Sequence, residues 1–132
     1  MFIRRLELYN YRNYARLEID LPARIHLLVG DNAQGKTNLL EAITYLATTR
    51  SPLAGHDREL IRWQSDAEDV IPNAQLALDY VRRLETHRLE ASLVNEPVEN
   101  GVPGQYVFRR QLRHDGVSRR AMDIVGKLNV VL

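Results

Sequence analysis

Apolar residues recur at every second position in five stretches of the chain, which is the period of a half-buried β-strand. These stretches lie at 6–8, 15–21, 74–80, 89–93 and 106–112. The polar-aromatic link Tyr11–Tyr14 joins the first two, which predicts a hairpin. Arg110 interrupts the apolar face of the last stretch. The segment 95–104 carries two Pro and two Gly and is predicted to be a loop.

A different period follows Lys36. Apolar residues recur there at steps of three and four, the spacing of an amphipathic helix: Leu39, Leu40, Ile43, Leu46 and Ala47. This helix is expected to end near Thr48–Thr49. Asp57 is a candidate cap for a short helix reaching Trp63, and a helical stretch from Ala121 is expected to end at Gly126. Asp115-Gly116 predicts a tight hairpin turn.

The nearly unbroken apolar run 25–29 is typical of a buried parallel strand. It leads directly into a loop with two glycines followed by Lys and Thr: Gly30, Asp31, Asn32, Ala33, Gln34, Gly35, Lys36 and Thr37. Strand, glycine loop and helix in this order form the context that a phosphate-binding loop requires.

The chemistry of such a loop is local. Gly30 and Gly35 let successive backbone N–H groups turn inward, and the helix adds its positive dipole end. Lys36 would reach the terminal phosphates, and the Thr37 hydroxyl would ligate Mg²⁺. The sequence therefore predicts a binding site for a nucleoside triphosphate.

Composition narrows the class of protein. A chain of 132 residues with 45% hydrophobic and 27% charged residues suits one folded domain rather than a disordered segment. It has no cysteine, no signal-peptide pattern and no apolar run near the ~20 residues of a membrane span. We therefore expect a cytoplasmic protein without membrane association.

The net charge of +1 argues neither for nor against nucleic acid as a partner. Five arginines flank the 114–116 turn and would form either a phosphate-contacting patch or an ordinary solvated face: Arg109, Arg110, Arg113, Arg119 and Arg120. Hydrolysis would also need an acid on a later strand. Asp79 is the nearest candidate, but we expect it to be an exposed strand residue, so the catalytic acid is expected to be absent.

The stretch Gly30–Tyr45, preceded by Leu8–Tyr14, resembles the amino-terminal end of the RecF family of SMC-like ABC ATPases. The resemblance continues through 50–51 and 57–63, is weak over 64–108, and returns at 115–117 and 125–132. It implies an α/β (α+β-like) fold: a P-loop NTPase, the amino-terminal part of an ABC/SMC-type ATPase head with an antiparallel β lobe. The chain would be a single partial domain, with hairpin, loop and first helix in 1–63 and a mostly β lobe in 64–132.

The resemblance also implies a function in DNA replication and recombinational repair. ATP would drive two heads together on duplex DNA or a single-strand/double-strand junction, and RecO and RecR would help to load recombinase at gaps. This chain would supply the Walker A half-site without the signature motif, as a truncated part of a longer protein. Two alternatives remain open: a non-catalytic nucleotide-binding fragment and a small-molecule P-loop kinase.

Residue roles follow from the same resemblance. The loop residues 30–37 and Asn38 would bind ATP, with Thr37 on Mg²⁺. Arg12 and Asn13 would approach the nucleotide, or else form only a solvated turn. Arg50 is a candidate for contact with DNA or with the opposed nucleotide. Ala33 stands where related loops often carry glycine.

Overall fold

The computed structural model describes residues 1–21, 35–62 and 71–129. Six strands form one antiparallel sheet in the order β2-β1-β3-β4-β5-β6. Their bounds are β1 Phe2–Tyr11, β2 Tyr14–Asp20, β3 Asn73–Arg82, β4 Glu85–Pro97, β5 Tyr106–His114 and β6 Val117–Arg119. The strands from 1–63 and 64–132 share this sheet, because β1 pairs directly with β3.

In the described part of the chain, three helical segments accompany the sheet: α1 Lys36–Thr48, a 3₁₀ turn Asp57–Leu60 and α2 Ala121–Ile124. The register brings the apolar side chains of neighbouring strands to one face, for example Leu8 opposite Leu76 and Leu76 opposite Ala91. Buried residues of α1, including Ala42 and Tyr45, join the same core. The helix α1 therefore covers this inner face of the sheet.

The outer face carries charge instead. Arg88 forms ion pairs with Glu7 and with Asp79, the latter at 3.1 Å between Nη1 and Oδ1. The expectation that Asp79 is an exposed residue was therefore wrong: it is half-buried and paired. Because alternate residues of a strand point to opposite faces, Asp79 also lies on the face away from α1, where it cannot reach a site at the helix start.

The predicted strands, the long helix and the Asp115-Gly116 turn are confirmed within the described residues. Two predictions were wrong in detail. The cap of the 3₁₀ turn is His56 rather than Asp57, and it makes no side-chain capping bond. The predicted loop at 95–104 begins later, because β4 continues to Pro97 and Asn95 is buried opposite Phe108. The predicted strand 25–29 and Trp63 lie outside the described residues.

Candidate nucleotide-binding site

Gly35 forms the entrance to α1. Its φ is +82°, a left-handed conformation that glycine adopts without steric cost, and the helix begins at the next residue. The carbonyl of Gly35 accepts the first helical hydrogen bond, from Leu39 N–H at 3.1 Å. No side chain caps this end, and no acidic residue lies in the first turn. Within the described residues, the first turn of α1 therefore adds no carboxylate that would offset the positive end of the helix dipole.

The turn between β1 and β2 packs against this glycine. The Tyr14 hydroxyl donates to the Gly35 carbonyl at 3.0 Å, and the Asn38 amide donates to Asn13 Oδ1 at 2.9 Å. A Cβ on Gly35 would lie 2.6 Å from Asn13 Nδ2 and 2.8 Å from the Tyr14 hydroxyl. Position 35 therefore disfavours a side chain on two grounds, the left-handed backbone conformation and the close approach of the Asn13 and Tyr14 side chains.

The buried carboxylate of Glu41 stabilises the packing of the β1–β2 turn on α1. Arg12 binds Glu41 with two parallel hydrogen bonds, Nε to Oε1 at 2.9 Å and Nη2 to Oε2 at 3.0 Å. The hydroxyls of Tyr11 and Ser51 donate to the same carboxylate at 2.8 and 2.5 Å. The Glu41 side chain is 0% exposed, so all its hydrogen bonds are made inside the protein. One carboxylate thus joins the β1–β2 turn, α1 and the loop after α1.

These contacts determine the ionisation of Glu41. Burial by itself would raise the pKa of Glu41, but hydrogen bonds from Arg12, Ser51 and Tyr11 outweigh burial and lower it below the ordinary value of 4.5. Burial and the neighbouring carboxylate raise the pKa of Tyr11, so its hydroxyl stays protonated and continues to donate. Glu41 is therefore ionised and Tyr11 neutral at physiological pH.

The site residues predicted from the sequence fall into three groups. Lys36, Thr37 and Asn38 form the first turn of α1, with Thr37 exposed and the other two half-buried. Asn13 lies beside Asn38, and its approach to the nucleotide stays a prediction. The predicted residues Gly30, Asp31, Asn32, Ala33 and Gln34 lie outside the described part of the chain.

Arg12 is bound to other residues of the protein, and its expected approach to the nucleotide stays a prediction. Two of its guanidinium nitrogens are bound to Glu41, and its φ of +50° places it in the left-handed region. Its backbone N–H donates to the Leu60 carbonyl at 2.9 Å. The contacts of Arg12 within the protein therefore hold the turn in place beside the helix start.

The five arginines around the 114–116 turn do not form one surface. Arg110 lies on the inner face, where it donates to Thr49 O at 2.7 Å and to Tyr45 Oη and Asp57 Oδ2 at 3.2 Å. Arg119 pairs with Leu112 and shares that face. Arg109 and Arg113 alternate with Arg110 along β5 and lie on the outer face. Arg120 is 84% exposed near Asp123, and Arg50 is exposed after α1.

Sequence reasoning missed Glu41, Tyr11 and Ser51. One feature of the sequence could have identified Glu41. This residue lies four positions before Tyr45, so the two share the buried face of α1. A carboxylate at such a position needs cationic or hydroxyl partners, because an unpaired buried charge is very costly. The positions of those partners depend on how the turn packs on the helix.

Comparison with known proteins agrees with this geometry. Residues 1–93 match the model of the AAA ATPase domain family, and the chain belongs to that family. Within the curated proteins it is homologous to RecF, described as a DNA replication and repair protein. The identity over the whole chain is 44% to RecF of Roseiflexus castenholzii, 43% to that of Chloroflexus aurantiacus and 36% to that of Bacillus mycoides. The chain spans only 34%, 34% and 31% of those proteins, respectively.

Solved structures show the same fold. A structure of the recombination mediator protein RecF with ATP, from the RecFOR pathway, matches 97% of this chain and 31% of its own, with a TM-score of 0.73 and 22% identity. A structure from work on ATP-driven dimerization and DNA-stimulated activation of SMC ATPases matches 95% of this chain and 76% of its own, with a TM-score of 0.70 and 18% identity. The predicted fold class, the amino-terminal part of an ABC/SMC-type ATPase head, is confirmed.

Within the described residues, no helix is long and apolar enough to cross a membrane.

Proposed function

We propose that this chain is the nucleotide-binding part of a RecF-type ATPase and holds ATP with Mg²⁺ at the start of α1. The observation that carries the proposal is Gly35 in the left-handed conformation, immediately before a helix whose first turn presents Lys36 and Thr37. Backbone N–H groups at such a helix start bind phosphate oxygens. The absence of acidic side chains from that turn leaves the electrostatic attraction for an anion intact.

The residues of the site would have separate roles. Lys36 neutralises the terminal phosphates, the exposed Thr37 hydroxyl ligates Mg²⁺, and the loop residues 30–34 with Asn38 complete the cradle. Besides any contact with the phosphates, Arg12 has a positioning role. Its bidentate bond to Glu41 fixes the turn that carries Asn13. The turn would therefore keep Gly35 and Asn38 correctly placed for the nucleotide.

Homology to RecF supports a wider function in DNA replication and repair. We propose that the complete protein binds DNA, forms an ATP-dependent dimer and acts in recombination and the SOS response with RecO and RecR in the cytoplasm. The similar structures are of a recombination mediator and of SMC ATPases with ATP-driven dimerization, which favours this class over a small-molecule kinase. The candidate DNA contacts are Arg50, Arg109, Arg113, Arg119 and Arg120, whereas Arg110 is bound to Thr49, Tyr45 and Asp57 within the protein.

Nucleotide binding can be tested with a matched pair of lysine variants, because the chain contains only Lys36 and Lys127. Fluorescent ATP and ADP are titrated with Mg²⁺ into the wild type, Lys36→Ala and Lys127→Ala. We expect Lys36→Ala to bind at least about tenfold more weakly, a loss of roughly 1.4 kcal/mol. Lys127→Ala should bind like the wild type, because Lys127 lies in the exposed segment after α2.

Equal binding by both variants, or no binding by a wild type that circular dichroism shows to be folded, would refute the site. Turnover is measured in the same samples. Binding without turnover favours the reading of this chain as a non-catalytic nucleotide-binding part, which agrees with its 31–34% share of its relatives' length. Multiple turnover by the chain alone would instead identify a complete enzyme.

A further inference from the structure

Three side chains with metal-binding atoms converge at the β5–β6 turn. One ligand atom from each of His87, His114 and Asp115 lies within 4.8 Å of the other two. His87 Nδ1 is 2.7 Å from Asp115 Oδ2, and His114 Nε2 is 3.8 Å from the same oxygen. The two imidazole rings stack with their centroids 5.5 Å apart. One nitrogen of each imidazole and one carboxylate oxygen thus lie close together.

The backbone holds this cluster in place. The Asp115 N–H donates to the Arg88 carbonyl at 2.9 Å, and the Arg88 N–H donates to Asp115 Oδ1 at 2.8 Å. Asp115 and Gly116 have φ values of +51° and +77°, so both central residues of the turn are left-handed, as in a tight two-residue hairpin. The bond to Oδ1 orients the carboxylate and leaves Oδ2 directed at His87.

Two further groups surround the histidines. His87 Nε2, the nitrogen facing away from Asp115, lies 3.6 Å from Glu85 Oε2. A carboxylate that accepts from the distal nitrogen of a metal-bound histidine is a recurrent outer-shell partner, and Glu85 lies just beyond hydrogen-bond distance for that role. The Tyr80 hydroxyl is 2.9 Å from His114 Nε2, the nitrogen that also faces Asp115, so a metal bound there would replace this hydrogen bond.

From these positions we propose that His87, His114 and Asp115 form a binding site for a divalent transition metal, with Zn²⁺ as the ion that the ligand set fits best. Two imidazoles and one carboxylate are a common donor set for Zn²⁺, and a water molecule supplies the fourth ligand. Bonds of about 2.0–2.2 Å in tetrahedral geometry place ligand atoms roughly 3.3–3.5 Å apart. The observed 2.7 and 3.8 Å bracket that spacing.

The proposed site is separate from the candidate nucleotide site. Tyr80 is paired with His87 and with Ile3 near the start of β1, whereas the turn that holds Gly35 follows the other end of that strand. At about 3.4 Å per residue, the two sites are roughly 25 Å apart along β1. A metal bound here would join β4 to the β5–β6 hairpin and stabilise that side of the sheet.

The test uses the 132-residue chain, freed of metal with a chelator and titrated with Co²⁺ and Zn²⁺. Tetrahedral Co²⁺ reports its ligands by visible absorption, and added Zn²⁺ should displace it. We expect one metal per chain, with binding weakened about 100-fold or more in His87→Gln and His114→Gln, since even outer-shell losses cost 10–100-fold. His56→Gln is the matched control, because His56 is exposed and lies before the 3₁₀ turn.

The Asp115→Asn variant tests whether weaker metal binding could result from misfolding alone. Asparagine tolerates the left-handed conformation and can still accept the Arg88 N–H, so the turn is retained while the charged ligand is lost. Weaker metal binding in folded Asp115→Asn, together with a Zn²⁺-induced rise in Tm only in wild type and His56→Gln, supports the site. The proposal fails if the wild type binds no metal, or if wild type and folded Asp115→Asn bind it equally. The three residues would then be only a hydrogen-bonded cluster that closes the hairpin.

Discussion

At the scale of single residues, Gly35 is the one described glycine that combines a positive φ with contacts under 3.0 Å at its missing Cβ. Its φ is positive and its missing Cβ leaves room for Asn13 and Tyr14. Gly126 has a similar φ of +94°, but nothing lies within 4 Å of the Cβ that it lacks. Substitutions at Gly126 and Gly35 can therefore be compared to separate the free-energy cost of a left-handed backbone from the cost of steric overlap.

We expect Gly126→Ala to lower the free energy of unfolding by about 1–2 kcal/mol, the cost of a left-handed L-residue. Gly35→Ala should lower it by about 3 kcal/mol or more, because overpacking against Asn13 and Tyr14 adds to that cost. Urea unfolding of the two variants measures both values. Equal losses would show that the turn moves away from position 35 without penalty.

At the scale of secondary-structure elements, Arg110 connects β5 to α1 and to the 3₁₀ turn. It bonds Thr49 at the end of the helix and shares Asp57 with the Tyr45 hydroxyl. Burial is the main cause that raises the pKa of Tyr45, to about 12, so this hydroxyl remains a donor. A residue that interrupts the apolar pattern of its strand thus joins three elements.

Arg110→Ala should reduce the free energy of unfolding by about 2 kcal/mol, since hydrogen bonds of charged groups contribute about 1.5–3 kcal/mol. Arg109→Ala is the neighbouring control on the outer face. The Arg109–Glu96 pair is exposed, with side-chain exposures of 69% and 46%, and such pairs contribute about 0–1 kcal/mol. Denaturant unfolding compares the variants, and similar losses for both would contradict the bridging role.

Arg110 also shows which features of the fold could be predicted from the sequence and which could not. Alternation and helical spacing are short-range signals, so the strands, α1 and the Asp115-Gly116 turn were predictable from local residues. Arg110 looked like an interruption because its partners, Tyr45, Thr49 and Asp57, are more than 50 residues away. Contacts between residues so far apart in the sequence produce no periodic pattern of apolar and polar residues.

The candidate sites likewise could be predicted from the sequence only in part. The loop motif and the position of the hairpin near it followed from residue types and resemblance. The contact of Asn13 with Asn38 and the binding of Arg12 to Glu41 required the packing of the turn on the helix. His87 joins His114 and Asp115 only through the register of β4 and β5, in which Leu89 faces His114.

At the scale of the whole molecule, Glu41 links parts of the chain that are distant in sequence. Its partners come from the β1–β2 turn and from Ser51 after α1, and its own helix packs on the sheet. Because these contacts lower the pKa of Glu41, the ionised carboxylate stabilises the folded state. That contribution is complete above the ordinary pKa of 4.5 and is lost as pH falls through the lower folded value.

Glu41→Gln should therefore lose about 2–3 kcal/mol of unfolding free energy near pH 7, because the half-buried Arg12 loses its charged partner. The difference from the wild type should shrink as the pH is lowered below 4.5, where Glu41 itself becomes protonated. Thermal or urea unfolding across pH 3–7 measures both curves. Glu99→Gln, at an exposed loop residue, is the control and should follow the wild type. Parallel curves for Glu41→Gln and wild type would contradict the assignment.

The close contact between Gly35 and the β1–β2 turn also has a consequence for substitutions at these positions. A larger residue at position 35 would meet the Asn13 amide and the Tyr14 hydroxyl, so these two side chains would have to move aside. Substitutions at positions 13 and 14 should therefore change how well a side chain at position 35 is tolerated. The start of α1 is thus coupled to a hairpin more than 20 residues earlier.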